Sequence, residues 1–479
     1  MAKSIFGVRT KVWSRRLRGF WEEFSHNKIG LFGLVILAIY GAVAIFAPVL
    51  TPYDPTLTKD LANPFAQPEW MTIFPQFRSL PRTTDIPMEW TVIKASNAAS
   101  VIKNQVEELV VLYDGTGSHS INITTVYLYP YSAPKEFLAS WTWWSENVSA
   151  ATYHIEFAIR NPSGLEFSIW SNPGVWSGAN QTWISASIYS SSSEVRNRLG
   201  MTFMQNPATE IFNEPGEYRL ILRMWFRPVS PTRPGTAKMH FENAQIRIKG
   251  LVHGILGTDS VGGDVFSQLI YGSQISLAIG LSSALLATVL GLSVGISAGY
   301  IGGFVDEGLM RIVDILLCLP VLPLLLGLIN LFGTSVWYLV LLLAVFGWQG
   351  LSRLIRSVVL SLKERPFIEC ARAAGASKFY IMVRHMVPNV LPVAMAALVL
   401  AVPAAIITEA AISFIGFGDP SAPSWGRMLN YAFNNGAFSA LAWWWVIPPG
   451  LAITTITLGF VFVGHAVDEV VNPRLRRRR

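Results

Sequence analysis

The sequence predicts an α-helical membrane protein of six spans with an all-β sandwich inserted after the first. Three observations carry this. The 479 residues are 51% hydrophobic and only 14% charged, against about 25% charged in an average soluble protein. The charges are also uneven: residues 56–250 hold 16 Lys/Arg and 16 Asp/Glu, so the remaining 21 Lys/Arg and 14 Asp/Glu supply the whole net charge of +7. Within that neutral stretch the pattern changes from long apolar blocks to alternation with a period of two.

Apolar blocks fit to cross a bilayer lie at about 29–50, 275–298, 309–332, 336–352, 391–417 and 443–467. The first, 22 uncharged residues, reaches roughly 33 Å at about 1.5 Å per residue. That exceeds a signal peptide's apolar core, so a retained span is expected. Lys and Arg fix the expected orientation. Seven (Lys3, Arg9, Lys11, Arg15, Arg16, Arg18, Lys28) precede the first span. Seven more (Arg353, Arg356, Lys363, Arg365, Arg372, Lys378, Arg384) fall between the fourth and fifth, and Arg474 with Arg476 to Arg479 follow the sixth. The short loops on the other side carry only Arg427. The expected plan is a cytoplasmic basic N-terminus (1–28), a first span (29–50), an extracellular insert (51–254), a five-span core (255–468) and a basic cytoplasmic tail (469–479). Cations flanking apolar runs argue for a lipid bilayer as partner and against nucleic acid.

In the insert, alternation bounded by turn residues predicts strands at Glu108–Tyr113, Ile121–Tyr129, Phe137–Trp143, Ala151–Ile159, Leu165–Trp170, Thr182–Tyr189, Glu217–Phe226 and Lys238–Ile248. Asp114-Gly115, Asn161-Pro162, Asn172-Pro173-Gly174 and Pro215-Gly216 punctuate them. An antiparallel sandwich over about 100–250, jelly-roll-like, is the expected architecture. No helix of consequence is expected inside it, and the Pro-rich 51–90 reads as a linker or strap. Nine of the 17 tryptophans lie here; they suit a sandwich core with a few rim residues better than a ligand-binding face of exposed aromatics. Asn122, Asn147 and Asn180 begin N-x-S/T sequons. The two cysteines, Cys318 and Cys370, lie outside the insert, so a packed core must hold it. No CxxC, HExxH or clustered-His pattern suggests a metal, and no Gly-x-x-x-x-Gly-Lys-Ser/Thr loop is present, so ATP hydrolysis is expected from another chain.

Between the fourth and fifth blocks runs Glu369-Cys370-Ala371-Arg372-Ala373-Ala374-Gly375-Ala376-Ser377, then Arg384-His385-Met386-Val387-Pro388-Asn389. It reads as a short helix, a glycine break and an amphipathic piece stopped by Pro388. Small residues allow close approach of another surface; Glu369 and the arginines offer charged contacts at its rim. From composition alone, a solvated loop is the simpler reading. The stretch nevertheless resembles the cytoplasmic coupling motif of ATP-binding cassette importer permeases: Glu369, Ala371, Gly375 and Pro388 stand at the motif's spacing, while Cys370, His385 and Val387 replace its Ala, Ile and Leu. Arg384-His385 with Pro388-Asn389 resembles the variant of the dipeptide/oligopeptide (peptide/nickel) family. Leu256-Gly257-Thr258-Asp259 with Gly263-Asp264, Ala410 to Gly418 with Pro423-Ser424-Trp425-Gly426, Pro448 to Ile453, and Asn472-Pro473-Arg474-Leu475 resemble the same family's second permease. Gly263 stands where that family usually has Arg. The resemblance covers 20–50 and 251–475 and leaves the insert out.

The resemblance implies a type I importer fold and a peptide-carrying permease, not an enzyme. It implies a coupling segment at 360–390 in which Glu369, Ala371, Arg372, Ala373, Gly375, Ala376, Ser377 and Pro388 meet a nucleotide-binding subunit. Its implied partners are a second homologous permease, two ATPase subunits that bind the ATP, and an extracellular substrate-binding protein. The chain itself is expected to hold no cofactor. Oligosaccharide or nickel as cargo, and a membrane-anchored carbohydrate-binding or adhesion protein, are the alternative expectations.

Polar groups inside a membrane are costly and rare. Glu409 in the fifth span is a candidate for the translocation path or, more simply, for bonding to a neighbouring helix. Gly295 and Gly299, in a row of small residues four apart, suit a pore-lining helix or static packing equally. Asp314 and His465, near span ends, need only water.

Overall fold

The computed structural model describes residues 19, 21–87, 91–94, 99–104, 108–172, 176–177 and 184–471. Contacts divide the chain into two compact units, Met1–Thr58 with Val265–Arg479, and Lys59–Asp264.

The membrane unit begins with α1 (Lys28–Leu50), capped by Asn27, whose side chain accepts from Gly30 N. Its outward side chains, among them Ile29, Phe32, Val35 and Ile39, are apolar and exposed, as a lipid-facing helix requires.

The second unit is a sandwich of two six-stranded antiparallel sheets. Its strands are β1 (Thr84–Pro87), β2 (Thr91–Lys94), β3 (Ala99–Asn104), β4 (Glu108–Gly115), β5 (His119–Tyr129), β6 (Glu136–Ser149), β7 (Ala151–Arg160), β8 (Glu166–Ser171), β9 (Trp176–Ser177), β10 (Ile184–Tyr189), β11 (Gly216–Pro228) and β12 (Gly235–Lys249). One sheet runs β10-β6-β12-β4-β3 with β1 also on β12; the other runs β2-β5-β11-β7-β8 with β9 also on β7. Strands β4 to β7, and again β10 to β12, alternate between the sheets, which is jelly-roll connectivity. All eight expected strands are present. Cross-sheet aromatic contacts fill the core: Tyr113 stacks on Phe226 at 5.1 Å, and Trp141 meets Phe157 at 4.3 Å between ring centroids. Two short helices, α2 (Ser193–Arg198) and α3 (Pro207–Ile211), depart from the helix-free expectation. Ser192 and Asn206 cap them by accepting from Val195 N and Ala208 N.

The expected strap is built structure. Gln67 and Arg82 each bridge to Val252. Asn63 Nδ2 donates to Lys249 O at 2.5 Å, and the backbone pairs Asp60 N to Val261 O and Leu61 N to Gly262 O. Lys249 is buried, with Nζ at 2.7 Å from Glu136 and 3.3 Å from Asp60. Burial pushes its pKa down, but the two carboxylates outweigh that and hold it above the ordinary lysine value.

The membrane unit resumes with α4 (Val265–Ile301), α5 (Gly303–Cys318), α6 (Val321–Phe332), α7 (Val336–Val345), α8 (Gln349–Lys363), α9 (Pro366–Ala373), α10 (Lys378–Ile381), α11 (Val387–Ile412), α12 (Trp425–Asn434) and α13 (Trp443–Val471). Among the described residues, five stretches are long and apolar enough to cross a membrane: Lys28–Leu50, Val265–Ile301, Val336–Lys363, Lys378–Phe417 and Trp443–Val470. The expected third span is a broken one. Helices α5 and α6 bend by 89° at Leu319-Pro320, where proline cannot donate to the helix ladder.

Candidate functional site: the arm between the fourth and fifth spans

Arg365 precedes α9 in extended conformation, and Pro366 occupies its first turn, where no backbone N–H is needed. Glu369 sits in that first turn, where a carboxylate is favoured by the helix dipole. A Schellman motif ends the helix: Gly375 N donates to Arg372 O at 3.0 Å and Ala376 N to Ala371 O at 3.1 Å. The motif needs a left-handed residue, and Gly375 has φ +81°. A Cβ added there would meet nothing within 4 Å, so backbone conformation alone selects glycine. Ser377 Oγ then accepts from Tyr380 N and starts α10.

The arm therefore has an anchored side and an open side. Ile368, Ile381 and Met386 are fully buried in one cluster with Ile296 and Tyr300 of α4 and Ile355 and Val359 of α8, and Ala371 and Ala376 pack on its edge. Glu369, Cys370, Arg372, Ala373, Ala374, Gly375 and Ser377 are exposed. The expected coupling residues of α9 and its turn thus come together, with all but Ala371 and Ala376 largely accessible. Pro388 stands apart from them, on α11, and does not stop the helix as expected: 378–417 reads as one span. A π-turn at Met382–Met386, closed by Val387 N donating to Met382 O, lies directly before Pro388 and absorbs a ring that would clash in a regular α-helix.

One side-chain grouping in the arm escaped the sequence reading. Phe367, Tyr380 and His385 form an aromatic group, with His385 at 6.2 Å and 5.9 Å from the two rings. With Phe379 and Val383 they leave an exposed apolar patch beside the open face of α9. The only signal was aromatic residues in a basic segment. Two ion pairs also went unforeseen. Arg356 forks onto Asp306 at 2.5 and 2.6 Å, and Arg353 pairs with Asp314, tying α8 to α5.

Gly295 and Gly299 lie in a helix seam and not along an open surface. A Cβ at Gly295 would sit 2.6 Å from Ser352 O, and one at Gly299 2.9 Å from Val359, both on α8. Glu409 is also enclosed, 1% exposed. Its Oε1 accepts from Ser413 Oγ at 2.7 Å, and the hydroxyls of Ser276 and Ser424 lie beside it. The loop 418–424 and α12 are locked close by. Trp425 Nε1 donates to Leu269 O at 2.9 Å, its ring fills the space left by Gly272, and Gly426 rests on Ala410. Asp419 of that loop is pushed up by burial, but hydrogen bonds from Ser421 and Val336 N hold it below the usual carboxylate range. The Gly262-Gly263-Asp264 departure has its own neighbour: His253 Nε2 stands 3.6 Å from Asp264. Among the described residues no group of His, Cys, Asp and Glu could hold a metal ion. Asn180 and the tail motif 472–475 lie outside the described residues.

A multi-span unit with a braced, half-exposed arm defines a membrane transport component. The profile described as "Binding-protein-dependent transport system inner membrane component" matches residues 291–477, and that of the "N-terminal TM domain of oligopeptide transport permease C" matches 16–68. A putative peptide permease of Brucella suis is 36% identical over 46% of this chain and 72% of the relative. A probable peptide ABC transporter permease of Sinorhizobium fredii is 40% identical over 47% of this chain and 76% of its own length. The inward-facing MetNI methionine ABC transporter is 20% identical with a TM-score of 0.34, covering 44% of this chain and 97% of that one. The chain belongs to the family of inner-membrane permeases of binding-protein-dependent ATP-binding cassette importers, on its oligopeptide permease side. It is a transport subunit and not the ATPase.

Proposed function

We propose that this chain forms half of a translocation pathway for di- and oligopeptides. Its pathway is completed by a second, homologous permease, driven by two ATP-binding subunits and fed by an extracellular substrate-binding protein. Peptides as cargo rest on the relatives, which are named as peptide permeases. The distribution of Lys and Arg supports cytoplasmic termini, a cytoplasmic 360–390 segment and an extracellular 51–254 insert in a cell-membrane protein. The observation that carries the coupling assignment is the two-sided arm: Ile368 and Ile381 fasten it to α4 and α8, while Glu369, Cys370, Arg372 to Gly375 and Ser377 remain open beside an apolar patch. Closure of the ATPase pair against that open face pushes α9, and the shared cluster transmits the push to the spans. ATP binding thereby biases a two-state element between inward- and outward-open forms. ATP stays on the partner subunits, so this chain carries no cofactor of its own.

Co-purification of the phosphate-loop ATPase from cells tests the assignment. Glu369→Arg, on the exposed face, is expected to lower ATPase recovery by an order of magnitude or more while leaving the permease's melting temperature unchanged. Gly375→Ala forces a side chain into a left-handed conformation at a local cost of about 1–2 kcal/mol and is expected to lower recovery less. Wild-type recovery and uptake with Glu369→Arg would remove the arm as the coupling element.

A further inference from the structure

The β11 strand directs Trp225 away from the sandwich core, opposite the buried Phe226 that follows it. Its neighbours across the sheet on the same side are His154 of β7 and Ser120 of β5. The indole is 38% exposed, and the imidazole of His154 lies against it at 5.3 Å with 33° between the planes. Together the two rings form the floor of a depression of about 670 Å³, within the size of small-molecule sites, about 300–1,000 Å³. Its rim carries Thr116, Ser118, Thr152 and Arg227.

The chemistry of this lining is selective. No carboxylate lines the depression, so a cation finds no ligand set. Arg227 is the single charged side chain in the lining, too little for a polyanion. One step along the same face, Arg223 is neutralised by Glu156 at 3.3 Å and by Glu166, so that the row below adds no free charge. What remains is an aromatic floor of two rings inclined by 33°, with three hydroxyls and one guanidinium around it and Tyr153, Pro228, Val229 and Pro231 completing the lining. Such a floor suits a ligand with an apolar flat face and a polar edge, since indole combines an apolar body with a tolerance of water. A pyranose ring has that form: axial C–H groups on one face and equatorial hydroxyls around the rim. The second aromatic pair outside the core, Trp144 on His240 at 4.3 Å, offers no such floor, because His240 is buried and faces Glu146.

We propose that this depression in the β unit is a binding site for a neutral saccharide, with Trp225 and His154 as the stacking platform and Thr116, Ser118, Thr152 and Arg227 as hydrogen-bonding rim. The site is separate from the transport reading and does not depend on it.

The test uses the full-length protein in lipid nanodiscs and isothermal titration with neutral gluco-, galacto- and manno-tetrasaccharides, with an oligogalacturonate as the charged comparison. At least one neutral tetrasaccharide is expected to bind more tightly than the oligogalacturonate. Trp225→Ala is expected to weaken that binding by about tenfold or more, and Trp225→Phe to restore most of it. Trp70→Ala, which removes an exposed tryptophan elsewhere in the same unit, is expected to change nothing. Thermal unfolding of each variant verifies the fold, and His154→Ala provides a second probe of the platform. Three results would each overturn the proposal: no heat with any neutral saccharide, binding indifferent to both Trp225→Ala and His154→Ala, or binding confined to the oligogalacturonate.

Discussion

The two units of this chain solve the same packing problem in opposite ways. Among the described residues, ten of the twelve largest fully buried side chains are in the β unit, Trp141, Trp143, Tyr113 and Phe226 being four of them; the membrane unit contributes Trp425 and Trp445. Its seams are made instead by absent side chains, with Gly291, Gly295 and Gly299 against α8, Gly272 against Trp425 and Gly426 against Ala410. The contrast follows from the solvent. In water each buried apolar Å² contributes about 25 cal/mol, so large rings are the most effective core. In lipid that gain vanishes between helices, and cohesion comes from backbones approaching closely.

Substitutions that reverse the two strategies test the comparison. The largest effect is expected for Trp141→Ala, which empties the centre of the sandwich at a cost of about 3–5 kcal/mol. Limited proteolysis should then cut within 59–264 while the spans resist. Equal resistance of the sandwich would mean that the rings are not what holds it. Next comes Gly295→Val, whose Cβ would lie 2.6 Å from Ser352 O. The seam must part, at about 1–3 kcal/mol, and the melting temperature in detergent should fall, whereas Gly327→Val on α6, where nothing lies within 4 Å, should leave it in place.

A smaller, pH-dependent effect is expected at His253. Burial pushes its pKa below the ordinary value even though Asp264 pulls it up. The unfolded chain therefore takes the proton first, so stability is flat above the unfolded value near pH 6.5 and declines as pH falls through it towards the lower folded value. Thermal melts between pH 7.5 and 5 should show this decline. His253→Asn should flatten it, and an unchanged slope would assign the titration elsewhere.

Much of this architecture was legible because periodicity reports burial. β7 and β11 alternate inward and outward residues along most of their length, and both were readable. Strands β1, β2 and β9 are only two to four residues long, too short for a period to declare itself. The strap was readable as a segment but its anchorage was not, since Asn63, Gln67 and Arg82 are held by backbone partners near residue 250 that no local pattern announces. The third span read as one apolar block, 309–332, and its 89° bend depends on how α5 and α6 pack and not on Pro320 alone. In the arm, Gly375 signalled a helix end by itself. Its neighbours' role came through resemblance, and the aromatic group around His385 arises from two segments folding back on each other.

Backbone hydrogen bonds join Asp60 to Val261 and Leu61 to Gly262, so the polypeptide enters and leaves the sandwich through one doorway. A guest whose two ends meet at a single hinge post can be lifted out, or transplanted, by joining the cut ends with a few residues, because the host need span no gap.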